Sequence, residues 1–364
     1  MKIKISSSQD KVSGLAQSYI LSSVSERFIV YLVEIVFVLS LSEIFASLVG
    51  IKPYLFNAMV SYRLGELSFS YLLSRGFIIN TVIFITIVFI YFLIEEVSGY
   101  GVGRILANKY IINRYVQSKD SRIVAHVIRA ALKSFPLFVF VDSILIFRRN
   151  NRKFLQRASD AALGFLVVKK KISASKKYEN LMDYLKLYVL GASIMYYSLF
   201  ISTFIISWMI VPMVTSTSGT GQSRVNFLNE FVSILSQNIP FDVYLVTGGM
   251  TLSFGSLLFL VESLDSENAI LVSILKSPSS VNFINGVLPQ FIPESLGYVF
   301  GLSAAFSIAS LIINFVQSMI NKQASLSFAN ASARNLKYAL ASVSISLVLL
   351  VFAACIEASL FLLG

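Results

Sequence analysis

The chain is short of the residues that build soluble catalytic or disulfide-bonded domains. It has one cysteine, one histidine and one tryptophan in 364 residues, and only 13% of its residues are charged. A lone Cys355 excludes a disulfide framework, and with His126 as the single histidine a Cys/His zinc site lacks ligands. There is no phosphate-binding loop followed by Lys-Ser or Lys-Thr, and no Gly-x-Ser-x-Gly elbow, so no catalytic residue, metal or cofactor is assigned and an enzyme is the least favoured class. Gly99, Gly101 and Gly103 are expected to form a tight turn rather than a phosphate cradle. Residues 1–26 lack an apolar core and a small-residue cleavage site, so no removable signal peptide is expected.

What is abundant is hydrocarbon. Hydrophobic residues make up 56% of the chain, with 30 Phe and 17 Tyr. Several runs exceed the roughly 18 apolar residues needed to cross a bilayer, so the expected fold class is all-α, a polytopic membrane bundle of six to seven spans. The spans are Phe28 to Val49, Gly76 to Glu95, Leu185 to Val211, Phe241 to Leu260, Leu296 to Val316 and Leu340 to Leu363. A seventh candidate, Ser134 to Phe147, is too short to cross as a straight helix and contains Pro136.

The net charge of +11 is concentrated beside these spans. Residues 98–133 hold seven Lys or Arg against Asp120 alone, and residues 148–177 hold ten against Asp160 alone. This distribution fits the positive-inside rule and anionic lipid headgroups better than nucleic acid, and it predicts a multi-pass cell-membrane protein with a cytoplasmic N-terminus. Both flanks of Ser134 to Phe147 then face the cytoplasm, which favours a re-entrant hairpin over one kinked crossing helix. Short strands in LANKYIINRY and LGFLVVKK, paired at that surface, would support re-entry. In the second half the charge count does not close on an odd-even path, and a re-entrant piece near residues 283–293 is one repair.

Residues 122–133 predict an amphipathic interfacial helix, with Arg122, His126, Arg129 and Lys133 directed at headgroups and Ile123, Val124, Val127 and Ile128 opposite. Acids within apolar runs are costly and need a partner or a function, which singles out Glu34, Asp142 and Glu357. Glu262 poses the same choice. Pro289 and Pro293 are expected to interrupt any helix, with Glu294 capping a helix start beyond them. Gly248, Gly249, Gly297 and Gly301 are expected on close helix-packing faces, within the chain or between copies.

Two family resemblances attach to these stretches. The text SERFIVYLVE (25–34), YFLIEEVSGYGVGRILANKYII (91–112), IRAALKSFPLFVFVD (128–142) and NRKFLQRASDAALGFLVVK (151–169) resembles an RDD-family membrane domain, named for an arginine and two aspartates. Arg27, Asp142 and Asp160 then match its charged positions. Glu34 stands where aspartate is usual, and the GYGVGR turn lacks the family's threonine. The text FVSILSQNIPFDVYLVTGGMTLSFGSLLFL, VLPQFIPESLGYVFGLSAAFSI and AACIEASLFLLG resembles stage II sporulation protein M, with Glu294 and Glu357 on acidic positions. The family's Leu-Pro-His-Gly turn appears as Leu288, Pro289, Gln290 and Phe291, without its histidine or glycine.

The resemblances divide the chain into residues 1–178 and 179–364 and imply a prokaryotic membrane protein. They place Arg27, Glu34, Asp142, Asp160 and Glu357 as an intramembrane charge network, which serves as structural ion pairing or as a cation relay. The resemblance to the sporulation protein implies a membrane scaffold or assembly factor, with partner membrane proteins or further copies of itself. The alternative is a cation- or proton-coupled transporter using the intramembrane carboxylates.

Overall fold

The computed structural model describes residues 19–21, 24–63, 68–107, 109–113, 119–135, 138, 165–170, 181–182, 184–212, 226–276, 280–320 and 325–363. They form an all-α bundle with one small sheet at its end. Strand β1 (Tyr19–Leu21) precedes helix α1 (Val24–Leu48). Short helices α2 (Tyr54–Arg63) and α3 (Phe69–Leu72) lead to α4 (Arg75–Ser98), α5 (Val102–Ala107), β2 (Lys109–Asn113), α6 (Lys119–Lys133) and β3 (Phe165–Lys170). The second half holds a π-helical turn (Tyr184–Leu190) continuous with α7 (Gly191–Ile210), then α8 (Phe227–Thr247), α9 (Phe254–Leu275), α10 (Ser280–Ile320) and α11 (Ser325–Leu363).

Five helices are long and apolar enough to cross a membrane: Ser25–Leu48, Arg75–Ser98, Tyr184–Ile210, Pro289–Val316 and Asn330–Leu360. Local chemistry sets their ends. Ser74 Oγ caps α4 by accepting from the Phe77 amide, and Gly99 ends it in a left-handed conformation at φ 77°. Only glycine adopts that conformation without strain, so the chain turns at once into α5.

β2 and β3 pair as expected from the sequence, and β1 joins them as a strand the sequence did not suggest. β3 lies between β1 and β2, antiparallel to both, with Tyr19 opposite Lys170 and Asn113 opposite Phe165. The pairing holds the two flanks of the Ser134 to Phe147 run at one end of the bundle. The run itself from Val139 onward, with Asp142 and Asp160, lies outside the described residues.

The second half departs from the sequence expectation in two places. Phe241 to Leu260 is not one span. It breaks at Gly248–Thr251, a 3₁₀ turn followed by Leu252 and Ser253 at φ 55° and 67°, so α8 and α9 form an antiparallel hairpin. Thr251 Oγ1 accepts from the Gly255 amide, and Ser256 Oγ donates to Leu245 O, tying the turn across itself. The tip packs on Ile313 and Phe28 near the sheet end, while Lys276 at the exit donates to the Trp208 and Val211 carbonyls at the far end of α7. The hairpin therefore enters and leaves at the same end. α10 therefore returns to the sheet end, where α11 begins with Arg334 and Lys337 in its first turns.

The second departure is α10, one helix from Ser280 to Ile320 that continues through Pro289 and Pro293. No re-entrant break stands at 283–293. Within an apolar bundle neighbouring helices tolerate the amide that a proline removes, so the prolines do not end the helix. Glu294 consequently sits inside a helix and caps no start.

Candidate functional site

Two groups of ionisable side chains are built into the bundle. The first lies at the sheet end. Glu95 and Glu96 stand in the last turn of α4, where the helix dipole disfavours acids, and both are buried. Helix α6 turns His126, Arg129 and Lys133 towards them. Arg129 pairs with Glu96, Lys133 Nζ donates to Glu95 Oε2 and Glu96 Oε1 at 2.9 Å each, and His126 Nδ1 lies 3.2 Å from Glu96 Oε2. Burial alone would push Lys133 down, but the Glu95 and Glu96 carboxylates outweigh it and hold the amine above the ordinary lysine range. The α6 face exposed outward is instead apolar, with Ile123 and Val124 more than half exposed. The cations expected at headgroups are thus turned inward, because two buried carboxylates require them; the Arg122 side chain lies outside the described residues.

Glu34 joins this end of the molecule. Its Oε1 accepts from the Gly103 amide at 2.9 Å, and Tyr91 Oη accepts from the Val102 amide at 3.0 Å. A Cβ at Gly103 would collide with the Glu34 carboxylate, and one at Gly101 would lie 2.5 Å from Glu95 Cγ. The glycines of GYGVGR therefore let the backbone close over two acids, and the turn is tight for that reason. Arg27 is buried on the same face of α1, two turns before Glu34.

Between the halves at this end is a cavity of about 110 Å³ lined by Glu26, Tyr188, Asn314, Arg334 and Tyr338 among others. The π-helical turn forms one wall. Tyr184 stacks on Tyr338 at 4.6 Å and bonds Ser342 Oγ at 2.7 Å, and Ser342 donates on to Ser303 Oγ at 3.3 Å. Ser346 donates to Gly297 O at 2.7 Å. These bonds, with the buried alanines 304, 305, 353 and 354, hold α10 and α11 in close contact.

The second group surrounds the α8–α9 hairpin. Asp242 of α8 is 2% exposed, and its Oδ1 has no hydrogen-bond partner. It is pressed against Gly301 of α10, where a Cβ would overlap Oδ1. Further from the sheet, Glu294 accepts from Tyr298 Oη at 2.7 Å, and the buried Tyr298 ring lies 4.3 Å from that of Phe241. Glu267 and Glu357 are within electrostatic reach of Glu294, and Glu230 is within reach of Glu357. Glu230, Glu267, Glu294 and Glu357 are thus partly exposed acids, and Asp242 is the enclosed one.

The predicted charge network is split by this arrangement. Ser25 and Arg334 line the same cavity, and α1 and α11 run away from it in the same direction. Glu34 is nine residues along and Glu357 is 23, which separates them by about 20 Å at 1.5 Å per residue. The four packing glycines all serve contacts within the chain: Gly248 on Ser256, Gly249 on Ala305, Gly297 on Leu350 and Gly301 on Asp242. Sequence reasoning missed Asp242 and Glu43, although the signal was present, since each is an acid within an apolar stretch. Among the described residues no three or more His, Cys, Asp or Glu gather as a metal-binding group. Comparison of the chain with protein-family models, curated proteins and solved structures gives no match.

Proposed function

We propose that the chain is a cation- or proton-coupled membrane transporter whose working carboxylates lie along the α8–α9 hairpin. The observation that carries this reading is Asp242, an enclosed carboxylate with an unpartnered oxygen, beside a group of partly exposed acids. A purely structural acid in hydrocarbon is expected to be fully paired, as Glu96 is; one with an oxygen left unpartnered and no facing cation among the described residues favours a group that takes up and releases a positive charge. The partly exposed acids nearby, Glu230, Glu267, Glu294 and Glu357, would concentrate cations ahead of it. The basic sheet end faces the cytoplasm in this reading, by the positive-inside rule.

The test is ion flux in proteoliposomes under imposed pH and cation gradients. Flux that disappears in Asp242→Asn and falls in Glu294→Gln and Glu357→Gln is the expected result. No flux of protons or alkali cations under any gradient would remove the proposal.

The membrane scaffold or assembly factor is the second reading, and one observation favours it. Only 17% of the most apolar window of α4 is buried, against 61% for α1 and for α10. That flank of α4, continuous with the apolar outer face of α6, has the character of a surface for another membrane helix, whether of a partner protein or of a second copy. Crosslinking in native membranes from residues on that flank, such as Ile90 and Ile94, would yield a defined adduct if this reading holds. Basic residues near the sheet end would meet anionic headgroups in either reading.

A further inference from the structure

At the end of the bundle away from the sheet, the first half contains a second set of buried oxygens. Glu43 of α1 is 0% exposed, and neither of its carboxylate oxygens has a hydrogen-bond partner. Asn80 of α4 is 1% exposed; its Nδ2 is directed at Lys52 O, 3.5 Å away, and its Oδ1 is left without a partner. Ser47, one turn beyond Glu43 on the same face of α1, has a buried and equally unpartnered Oγ. Four enclosed acceptor oxygens thus occur on two adjacent helices.

The start of α2 closes over them. Leu55 and Asn80 supply the polar groups nearest Glu43, and neither reaches hydrogen-bond geometry with its oxygens. Tyr54 and Tyr71 pack at 5.8 Å between ring centres, Tyr71 Oη donates to Tyr54 O at 3.1 Å, and Gly76 leaves room for the Tyr54 ring. Leaving buried acceptors unsatisfied costs about 1–3 kcal/mol each, more for a charged group, so four together call for an occupant that supplies positive charge. The donor set contains oxygen only, which suits hard cations. One carboxylate and two neutral oxygens match a single positive charge and leave a divalent ion under-neutralised.

We infer that Glu43, Asn80 and Ser47 form a binding site for one dehydrated monovalent alkali cation, enclosed by α2. The site is independent of the transport reading: it is in the other half of the chain, and binding there needs no gradient. It would act by joining α1, α4 and α2 at the end where α4 is otherwise least packed.

The experiment is thermal unfolding of the full-length protein in detergent, titrated with NaCl, LiCl or KCl while choline chloride keeps the ionic strength constant. The wild type should show a saturable rise in Tm with at least one of the three, because a ligand that binds only the folded state stabilises it. The rise should be absent in Glu43→Gln, a neutral variant of nearly the same shape. Should Glu43→Gln not fold, Ser47→Ala and Asn80→Ala serve instead, each expected to weaken the apparent affinity at least roughly tenfold, the lower end of what loss of even a supporting group costs a metal site. A wild type with no cation dependence overturns the site, including the case in which only acidification stabilises it, for then the occupant is a proton. A cation dependence unchanged in Glu43→Gln, or unchanged in both alanine variants, overturns it as well. Asp242→Asn should leave the titration unaltered, so loss of this site and loss of flux through the hairpin are read separately.

Discussion

Glu96 at the sheet end and Asp242 at the hairpin are alike in burial and opposite in company. Glu96 meets Arg129, Lys133 and His126, so its charge is matched on the spot. Asp242 meets a glycine, a serine-bearing helix and no cation among the described residues. The first arrangement locks α4 to α6; in the proposed function the second keeps a carboxylate ready for an incoming cation. Burial of an acid therefore says little by itself about its role, and the identity of the facing helix decides it.

The largest effect should come from breaking the matched group. Arg129→Ala leaves Glu96 buried beside one fewer cation and is expected to cost about 3–5 kcal/mol, read as a fall in Tm in detergent. Glu96→Gln should recover part of that loss in the double variant, because the stranded charge is removed. Next, Gly249→Ala should cost about 1–3 kcal/mol, since the new Cβ meets the Ala305 backbone and cannot be relieved by a side-chain rotation.

Asp242→Asn sharpens the contrast. It should leave stability within about 1 kcal/mol of wild type, or raise it, because an unmatched acid is replaced by a neutral group of the same shape. The same variant should abolish flux. A large destabilisation instead would place Asp242 in the same structural category as Glu96.

Lys133 gives the pH arm. Its amine is held above the unfolded lysine value of about 10.4, so its contribution is complete below that value and is lost as pH rises through the folded value. The Tm difference between wild type and Lys133→Met should be constant from neutral pH to about pH 10 and should shrink above it. The smallest effect is expected from Ser342→Ala, about 0.6 kcal/mol, the usual size of an interhelical hydrogen bond in a membrane protein.

Much of the fold was legible because membrane helices announce themselves by length and apolarity. α1, α4, α7, α10 and α11 all follow from runs visible in the chain, as does the pairing of β2 with β3. The hairpin was hidden for a physical reason. Phe241 to Leu260 contains enough apolar residues for one span, and the break at Gly248–Ser253 depends on left-handed conformations at Leu252 and Ser253, residue types that seldom adopt them. Pro289 and Pro293 misled in the opposite direction, because their cost inside a helix is set by neighbours that a sequence does not reveal. The amphipathic character of α6 was legible and its orientation was not, since hydrocarbon outside and carboxylates inside reverse the usual sense of a polar face. The paired acids Glu95 and Glu96 were visible at the end of a span, and only their juxtaposition with Arg129 and Lys133 explains the reversal.

The small sheet has a consequence for biosynthesis. Its central strand, β3, is the last of the three to be made, and each outer strand touches only β3. Tyr19 waits for Lys170, 151 residues downstream, which at ordinary rates of synthesis takes roughly 8–30 s. During that interval α1, α4 and α6 are already made while the ends they emerge from are untied. β3 precedes the π-helical turn and α7 in the chain, so the strand that ties the first half together is made before the second half.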